Sequence, residues 1–207
     1  MVLSSLIMMA ASTPVVLDGG VRVRIGEVLQ QAKLLHNPQL QSHIGLLWGK
    51  NSPFGGRIVV QDVRRLSEMT SSQAGNLMLH QGYVRSTLRK SITLDAGRRE
   101  LHLGLGRLVS AARWSDSGRA FDGLFLTINH QLSPLGVTAW ATQPGTPGSQ
   151  GKRFGGVYLQ KSLSSSVHLE AWWMRKQNLS SQIDRHTLGG AARLKSRTLS
   201  TDLEGSE

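Results

Sequence analysis

Short segments in which apolar and polar side chains alternate recur along nearly the whole chain, and this repetition restricts the fold more than any other feature. Val21 and Val23 alternate with Arg22 and Arg24, and segment 166–176 shows the same pattern most clearly. Successive side chains of a β-strand point to opposite faces of its sheet. Each segment therefore predicts a strand with one apolar and one polar face.

The alternating segments are separated by turns rich in Gly, Pro, Ser and Asn, and no stretch combines a helical apolar period with helix start and stop signals. The predicted strands are 17–29, 39–49, 57–65, 77–88, 91–104, 121–131, 135–142, 153–163, 166–176, 185–195 and 198–205. We expect an all-β fold, an antiparallel up-and-down meander of about 10–11 strands.

Two of these segments break the alternation. In the third, Gln61, Asp62 and Arg64 interrupt the pattern, which a β-bulge would reconcile. In the fifth, Ile92 and Leu94 fall on one face, whereas the apolar residues after position 100 fall on the other. A strand cannot change faces without a shift, so an irregularity is predicted near 97–100.

Strand length and loop length both point to a membrane barrel. About ten residues is the length of a tilted strand that crosses a bilayer. Connections after the first, third, fifth, seventh and ninth segments read as long and polar, and those after the even segments read as short turns. This alternation is typical of an outer-membrane meander and not of a Greek-key sandwich.

The apolar face distinguishes a barrel from a soluble sandwich. Val21, Val23, Leu169 and Trp173 face lipid in a transmembrane β-barrel but are buried in the core of a sandwich. We expect the barrel, with residues 15–207 forming part of it. Residues 1–14 are apolar and lack a preceding basic residue, and are interpreted as a signal-peptide remnant or a disordered tail.

The formal net charge of +11 predicts an anionic partner. Nucleic-acid binders gather their cations in runs or on one helix face, whereas these arginines occur singly, so nucleic acid is not expected. Cysteine is absent, which excludes disulfides and thiolate metal sites. No apolar run approaches the roughly 20 residues of a transmembrane helix.

Arginines on the polar faces are the candidate binding residues. Guanidinium groups stay charged and bind carboxylates in a planar, often bidentate way. Interspersed acidic residues would keep the arginines from holding an anionic polymer too tightly, or the two signs would simply pair and brace the wall. The predicted substrate-binding residues of the lumen are Arg22, Arg24, Arg64, Arg85, Arg98, Arg99, Glu100, Arg119, Asp122, Arg193 and Lys195.

Catalytic and cofactor signals are weak. The histidines are scattered one per strand without metal-ligand spacing, so no metal is expected. No nucleophile elbow is present. The GLGRL stretch at 104–108 has two glycines without the third and precedes no helix, so no phosphate loop and no cofactor are predicted.

Three motifs carry a resemblance to a known family. They are LHQGYV (79–84), GRRELHLGLGRLV (97–109) and W-x4-R-x-FDG (114–123). In spacing and residue type they resemble the alginate export family of bacterial outer-membrane porins, whose corresponding patterns read roughly LHQAYV, GRQEL-x-x-GDGRLV and W-x4-R-x-FDG. Leu105 departs from the pattern, since the family usually has Asp there. Weaker similarity begins near Leu17 and runs to the end of the chain.

The resemblance implies a passive outer-membrane channel for an anionic polysaccharide, alginate or a related polyuronate, without cofactor or catalysis. The implied partners are the polysaccharide, outer-membrane lipid and periplasmic export machinery. An aqueous channel of this kind needs about 16–18 strands, so the chain is expected to be the N-terminal part of the barrel. The alternative is a soluble basic β-sheet module that binds acidic glycans.

Overall fold

The computed structural model describes residues 15–30, 33–50, 52–65, 77–112, 118–129, 135–145, 151–195 and 200–206. All regular structure in these ranges is β-strand. The eleven strands are β1 (Val15–Gln30), β2 (Lys33–Trp48), β3 (Phe54–Arg65), β4 (Met78–Arg89), β5 (Ile92–Arg99), β6 (Phe121–Ile128), β7 (Gly136–Pro144), β8 (Lys152–Ser162), β9 (Val167–Asn178), β10 (Ile183–Lys195) and β11 (Ser200–Ser206).

The strands form one sheet in which each strand pairs with its neighbours in sequence, from β1 at one edge to β11 at the other. The described pairings are antiparallel throughout. The predicted all-β up-and-down meander of 10–11 strands is therefore confirmed. Its contacts are local because a hairpin joins every pair of neighbouring strands.

A bulge lies opposite the third predicted segment and not in it, and the irregularity predicted near 97–100 is a glycine of positive φ followed by the end of the strand. Opposite Val59 and Val60 the register between β3 and β4 shifts by one residue, and His80 of β4 is the extra residue. At the end of β5, Gly97 has a φ of 125°, and a Cβ there would lie 2.3 Å from the carbonyl oxygen of Gly82. Only glycine fits this close approach.

The fifth predicted strand is too long, because β5 ends at Arg99 and not at 104. Leu101 and Leu103 leave the sheet, and both side chains are buried. This explains why their apolar positions fell on the wrong face of the predicted strand. The polar stretch 30–38, predicted to be a loop, is also different, because β1 and β2 pair from Gln30 and Lys33 onwards.

The predicted alternation of long and short connections holds only in part. After β3 and β5 the connections are long, 66–77 and 100–120, and after β2 and β4 they are short. After β1, most of the residues predicted to form a long loop belong to the paired strands β1 and β2. After β9, the predicted long loop is a tight turn at 179–182. Polar residues extend these hairpins, because strand pairing satisfies the backbone N–H and C=O groups whichever side chains they carry.

The sheet has two distinct faces. One face, which we call the covered face, includes Arg22, Arg57, Arg85, Asp95, Arg99, Phe125, Trp140, Trp172 and Arg193. The other, which we call the open face, includes Val21, Ile44, Ile58, Leu94, Leu124, Trp173 and Leu188. The hydrophobic core lies against the covered face, where Leu101, Leu103 and Val109 pack on aromatic residues of β6 to β9.

Candidate functional site

The open face is an exposed apolar surface. Val21 is 72% exposed, Val23 61%, Trp173 42% and Leu169 38%. A soluble sandwich would bury these side chains in its core, whereas a barrel presents them to lipid. The exposure therefore favours the barrel over the alternative of a soluble glycan-binding module.

The centre of the covered face holds two arginines on one buried carboxylate. Asp95 is fully buried and accepts hydrogen bonds from Arg85 Nε at 2.6 Å and Arg85 Nη2 at 2.8 Å. Arg99, four residues along the same strand, donates through Nη1 to Asp95 Oδ2, the oxygen that also accepts from Arg85 Nη2. Arg85 also stacks over Tyr83, and Arg99 over Phe125. Two cations on one anion leave a formal charge of +1 with both guanidinium groups partly exposed.

Further along the covered face, Arg193 of β10 pairs with Glu170 of β9. Arg22 lies on β1 opposite Gln41, and its side chain is exposed. Of the predicted site residues, the structure thus places Arg22, Arg85, Arg99 and Arg193 on one face. Glu100 follows β5 directly and bonds His80 at 2.7 Å.

Three predicted site residues lie on the opposite face. Arg98 and Asp122 are directly opposite each other in the register, in line with Ile58, and join through two hydrogen bonds of 2.7 and 2.8 Å. Arg64 lies on the open face too, where it bonds Asp62 at 2.6 Å. The prediction that these residues share a face with Arg85 is wrong. Sequence alternation could not show this, because β5 and β3 carry charges at successive positions.

The remaining predicted site residues do not join this arrangement. Arg119 is exposed in the connection before β6. Arg24 and Lys195 lie in β1 and β10, but their side chains are outside the described residues. Residues 1–14 are outside them as well.

Three ion pairs on the open face lie near corresponding ends of their strands. They are Asp62–Arg64, Arg98–Asp122 and Arg175–Asp184, near the C-terminal ends of β3, β5 and β9. The exposed apolar residues lie beyond them along the strands. Charges at the ends and apolar residues between them are what a strand needs to cross a bilayer.

A long connection covers half of the covered face. From Arg99 the chain runs to Gly104, where a Cβ would lie 2.6 Å from Glu170 Oε2 and 2.8 Å from Tyr158 Oη. Gly104 has a φ of 53°, which glycine adopts without strain. From β5 to β9 the connection crosses four interstrand spacings, roughly 20 Å. The chain then returns, and Gly118 lies beside His80 of β4.

Hydrogen bonds within the connection hold its shape. The backbone N–H of Leu103 donates to Val109 O at 3.0 Å, and that of Gly106 donates to Leu103 O at 2.8 Å. Trp140 and Trp172 are buried beneath this connection. They therefore pack the protein interior.

The other half of the covered face is open and polar. A groove of about 330 Å³ lies over β1 to β4, and we call it the polar groove. It is lined by Arg22, Gln41, His43, Arg57, Gln61, His80 and Gln81, with Asp18, Glu100 and Gly118 at its margins and Val59 at its floor. Arg57 Nη2 donates to Asp18 Oδ2 at 2.5 Å.

Sequence reasoning missed most residues of the polar groove. Gln41, His43 and Gln61 occupy the same alternating positions as Arg22, so the period that identified the arginines also marks these residues. They were not predicted as binding residues because the candidates were chosen by charge. His80 had no such signal, because the bulge turns it towards the groove.

The described part of the chain contains no group of three His, Asp or Glu side chains arranged to hold a metal ion. No helix in that part is long and apolar enough to cross a membrane.

An antiparallel meander with one exposed apolar face and one polar, arginine-bearing face is the architecture of a strand-built membrane protein. The particular family follows from comparison with protein-family models. The Alginate export model matches residues 22–205, and the chain belongs to this family. It is a transport family of the outer membrane, named for a polysaccharide. A search of curated proteins found no match to the chain.

Proposed function

We propose that the chain forms the wall of an outer-membrane channel through which an anionic polysaccharide, alginate or a related polyuronate, diffuses passively. The covered face is the lumen wall, and the open face contacts lipid. The observation that carries the proposal is the arginine-bearing face with Arg22, Arg85, Arg99 and Arg193 on one side of a sheet whose other side is apolar and exposed. No catalytic step is part of the proposal.

The arginines suit an anionic polymer for two reasons. Rings of guanidinium groups select anions in a pore. In addition, Asp95 and Glu170 already neutralise part of this charge. A carboxylate that reaches Arg85 or Arg99 competes with Asp95 and is bound weakly enough to leave again. A polyuronate has one carboxylate on each sugar and passes between such sites.

Reconstitution of the chain in a planar bilayer tests the proposal. We expect that a closed pore formed by the chain, alone or with the strands that complete its barrel, gives anion-selective current steps that added polyuronate blocks. The double variant Arg85→Gln/Arg99→Gln removes two cations from the covered face and is expected to reduce anion selectivity and block. The double variant Arg153→Gln/Arg175→Gln makes the same change on the open face and is the matched control.

Cation-selective steps, or anion-selective steps that the polymer leaves unchanged, would contradict the proposal. Equal effects of the covered-face and open-face variants would show that the covered face does not line the lumen. Separation of bacterial membranes tests the location, since the proposal requires the chain in the outer-membrane fraction.

A further inference from the structure

The polar groove differs in charge from the rest of the protein. The chain as a whole has a formal net charge of +11. Around the polar groove, Arg22 and Arg57 are balanced by Asp18 and Glu100, so the formal charge there is zero with neutral histidines. Arg57 bonds Asp18 and His80 bonds Glu100, both within the groove. Attraction for a carboxylate is therefore weaker here than at Arg85 and Arg99.

What the polar groove offers instead is a set of neutral groups that donate and accept at once. Three carboxamides and two imidazoles line it: Gln41, Gln61, Gln81, His43 and His80. A carboxamide presents two N–H donors and a carbonyl acceptor, and a neutral imidazole presents one donor and one acceptor. A sugar hydroxyl is also donor and acceptor, so adjacent hydroxyls of a pyranose match this set.

The sheet register brings these groups together. His43 of β2 lies directly opposite Gln61 of β3, and Gln81 of β4 lies opposite Val59, two residues before Gln61. Side chains directly opposite each other on neighbouring strands have Cβ atoms about 5 Å apart, which is close to the spacing of hydroxyls across one sugar ring. Gln61 and Gln81 are nearly buried, so they are held in place by the surrounding wall.

We propose that the polar groove is a binding subsite for the uncharged hydroxyl edge of a pyranose chain. The subsite is distinct from the Arg85–Asp95–Arg99 cluster, where carboxylates bind. It rests on the proposed function, in that the polymer passes over the covered face. The volume of about 330 Å³ lies at the lower end of the range of about 300–1,000 Å³ that ligand pockets occupy.

The covering connection explains why this half of the face is the one that meets the polymer. Residues 101–112 occupy the surface over β6 to β9, and its aromatic side chains are buried. The polar groove over β1 to β4 stays open and borders the Arg85–Asp95–Arg99 cluster on β4 and β5. A polymer on the covered face thus meets the carboxylate site and the hydroxyl site side by side.

A pair of matched ligands separates the two sites. The full chain, refolded in detergent micelles, is titrated by calorimetry with a uronate hexasaccharide and with the same hexasaccharide after carboxyl reduction. Carboxyl reduction removes the charges and leaves the ring hydroxyls. We expect the reduced hexasaccharide still to bind the wild-type chain, because the polar groove recognises hydroxyls.

The double variant Gln41→Met/Gln81→Met removes two amides while nearly preserving side-chain volume. We expect binding of the reduced hexasaccharide to weaken about fivefold for each amide, the effect of a typical hydrogen bond. Gln143→Met makes the same change on the open face, where the side chain is exposed, and is expected to leave binding unchanged.

Hydrogen exchange gives a second measurement that needs no variant. Added reduced hexasaccharide is expected to slow amide exchange in 40–45, 57–63 and 80–83 and to leave 121–128 unchanged. The subsite is overturned if the reduced hexasaccharide does not bind, if Gln41→Met/Gln81→Met binds it as well as Gln143→Met does, or if slowed exchange occurs elsewhere.

Failure of the subsite and failure of the proposed function give different results. Binding of the uronate hexasaccharide with none of the reduced one would leave the channel proposal standing and remove the subsite. Binding of the reduced hexasaccharide without any anion selectivity in the bilayer would support the subsite and contradict the polyuronate channel.

Discussion

Over β6 to β9, the covered face carries large aromatic side chains under the connection 101–112, whereas over β1 to β4 the same face carries amides, imidazoles and ion pairs around an open groove. Both halves use the same alternation in sequence and the same antiparallel pairing. They differ because only the half over β6 to β9 is packed against apolar residues of a connection, namely Leu101, Leu103 and Val109.

This difference shows that alternation assigns a residue to a face but not to an environment. Phe125 and Gln61 occupy equivalent positions on the covered face, and both are buried. The connection buries Phe125, whereas Gln61 lies in the wall of the polar groove. Four substitutions test how far the two halves differ, and they are given from the largest expected effect to the smallest.

Phe125→Ala is expected to lower the free energy of unfolding by about 3–5 kcal/mol, because it opens a cavity in the packed half of the covered face. Denaturant unfolding in detergent micelles measures the loss. Leu124→Ala, at the neighbouring position on the open face where the side chain is 54% exposed, is the matched control and is expected to cost much less. Equal losses would mean that the connection does not form a packed core.

Asp95→Asn is expected to lower the free energy of unfolding by about 2 kcal/mol, because two guanidinium groups lose a fully buried anionic partner. The same denaturation measurement applies. Asp184→Asn breaks a similar two-bond Arg–Asp pair that is exposed on both sides, and a much smaller loss is expected there. A loss for Asp184→Asn as large as that for Asp95→Asn would contradict the role of burial.

Gly104→Ala tests the contact between the connection and the far strands. A Cβ at φ 53° is strained, and it would also meet Glu170 and Tyr158. Gly151→Ala has a similar φ of 77° but no side-chain atom closer than 3.4 Å. We expect Gly104→Ala to cost about 1 kcal/mol more than Gly151→Ala in thermal or denaturant unfolding. No difference would indicate that the connection does not approach β9 this closely.

Arg22→Gln is expected to leave the free energy of unfolding within about 0.5 kcal/mol of the wild type, because the side chain is exposed. Binding of a uronate hexasaccharide should weaken about twofold to threefold, and the effect should fade as salt is added. Arg153→Gln makes the same change on the open face and is expected to leave binding unchanged. Salt-independent weakening would contradict an electrostatic role for Arg22.

Much of the fold follows from the sequence alone. A two-residue period places Val21 and Leu169 on an apolar face whatever the surroundings are, because the pleat alternates side chains by geometry. Turn residues and antiparallel hairpins then determine the strand order. A disruption near 97–100 was also predictable, because a regular strand cannot change faces, and β5 ends there instead of shifting.

The tertiary structure decided which charges meet. Arg98 and Arg99 are adjacent in sequence, yet one pairs with Asp122 on the open face and the other with Asp95 on the covered face. Their partners depend on registers with β4 and β6, and on where β5 ends. Single-strand alternation cannot determine these long-range features.

The tertiary structure also decided where the connection 100–120 lies. Its leucines alternate as those of a strand do. They pack instead on the aromatic residues of β6 to β9, which bury more apolar surface than a longer β5 would. The sequence determined the two faces of each strand, because that depends on local geometry alone. Only the tertiary structure decided which part of the covered face is packed and which part is open to a ligand, because a segment distant in sequence must fold onto it.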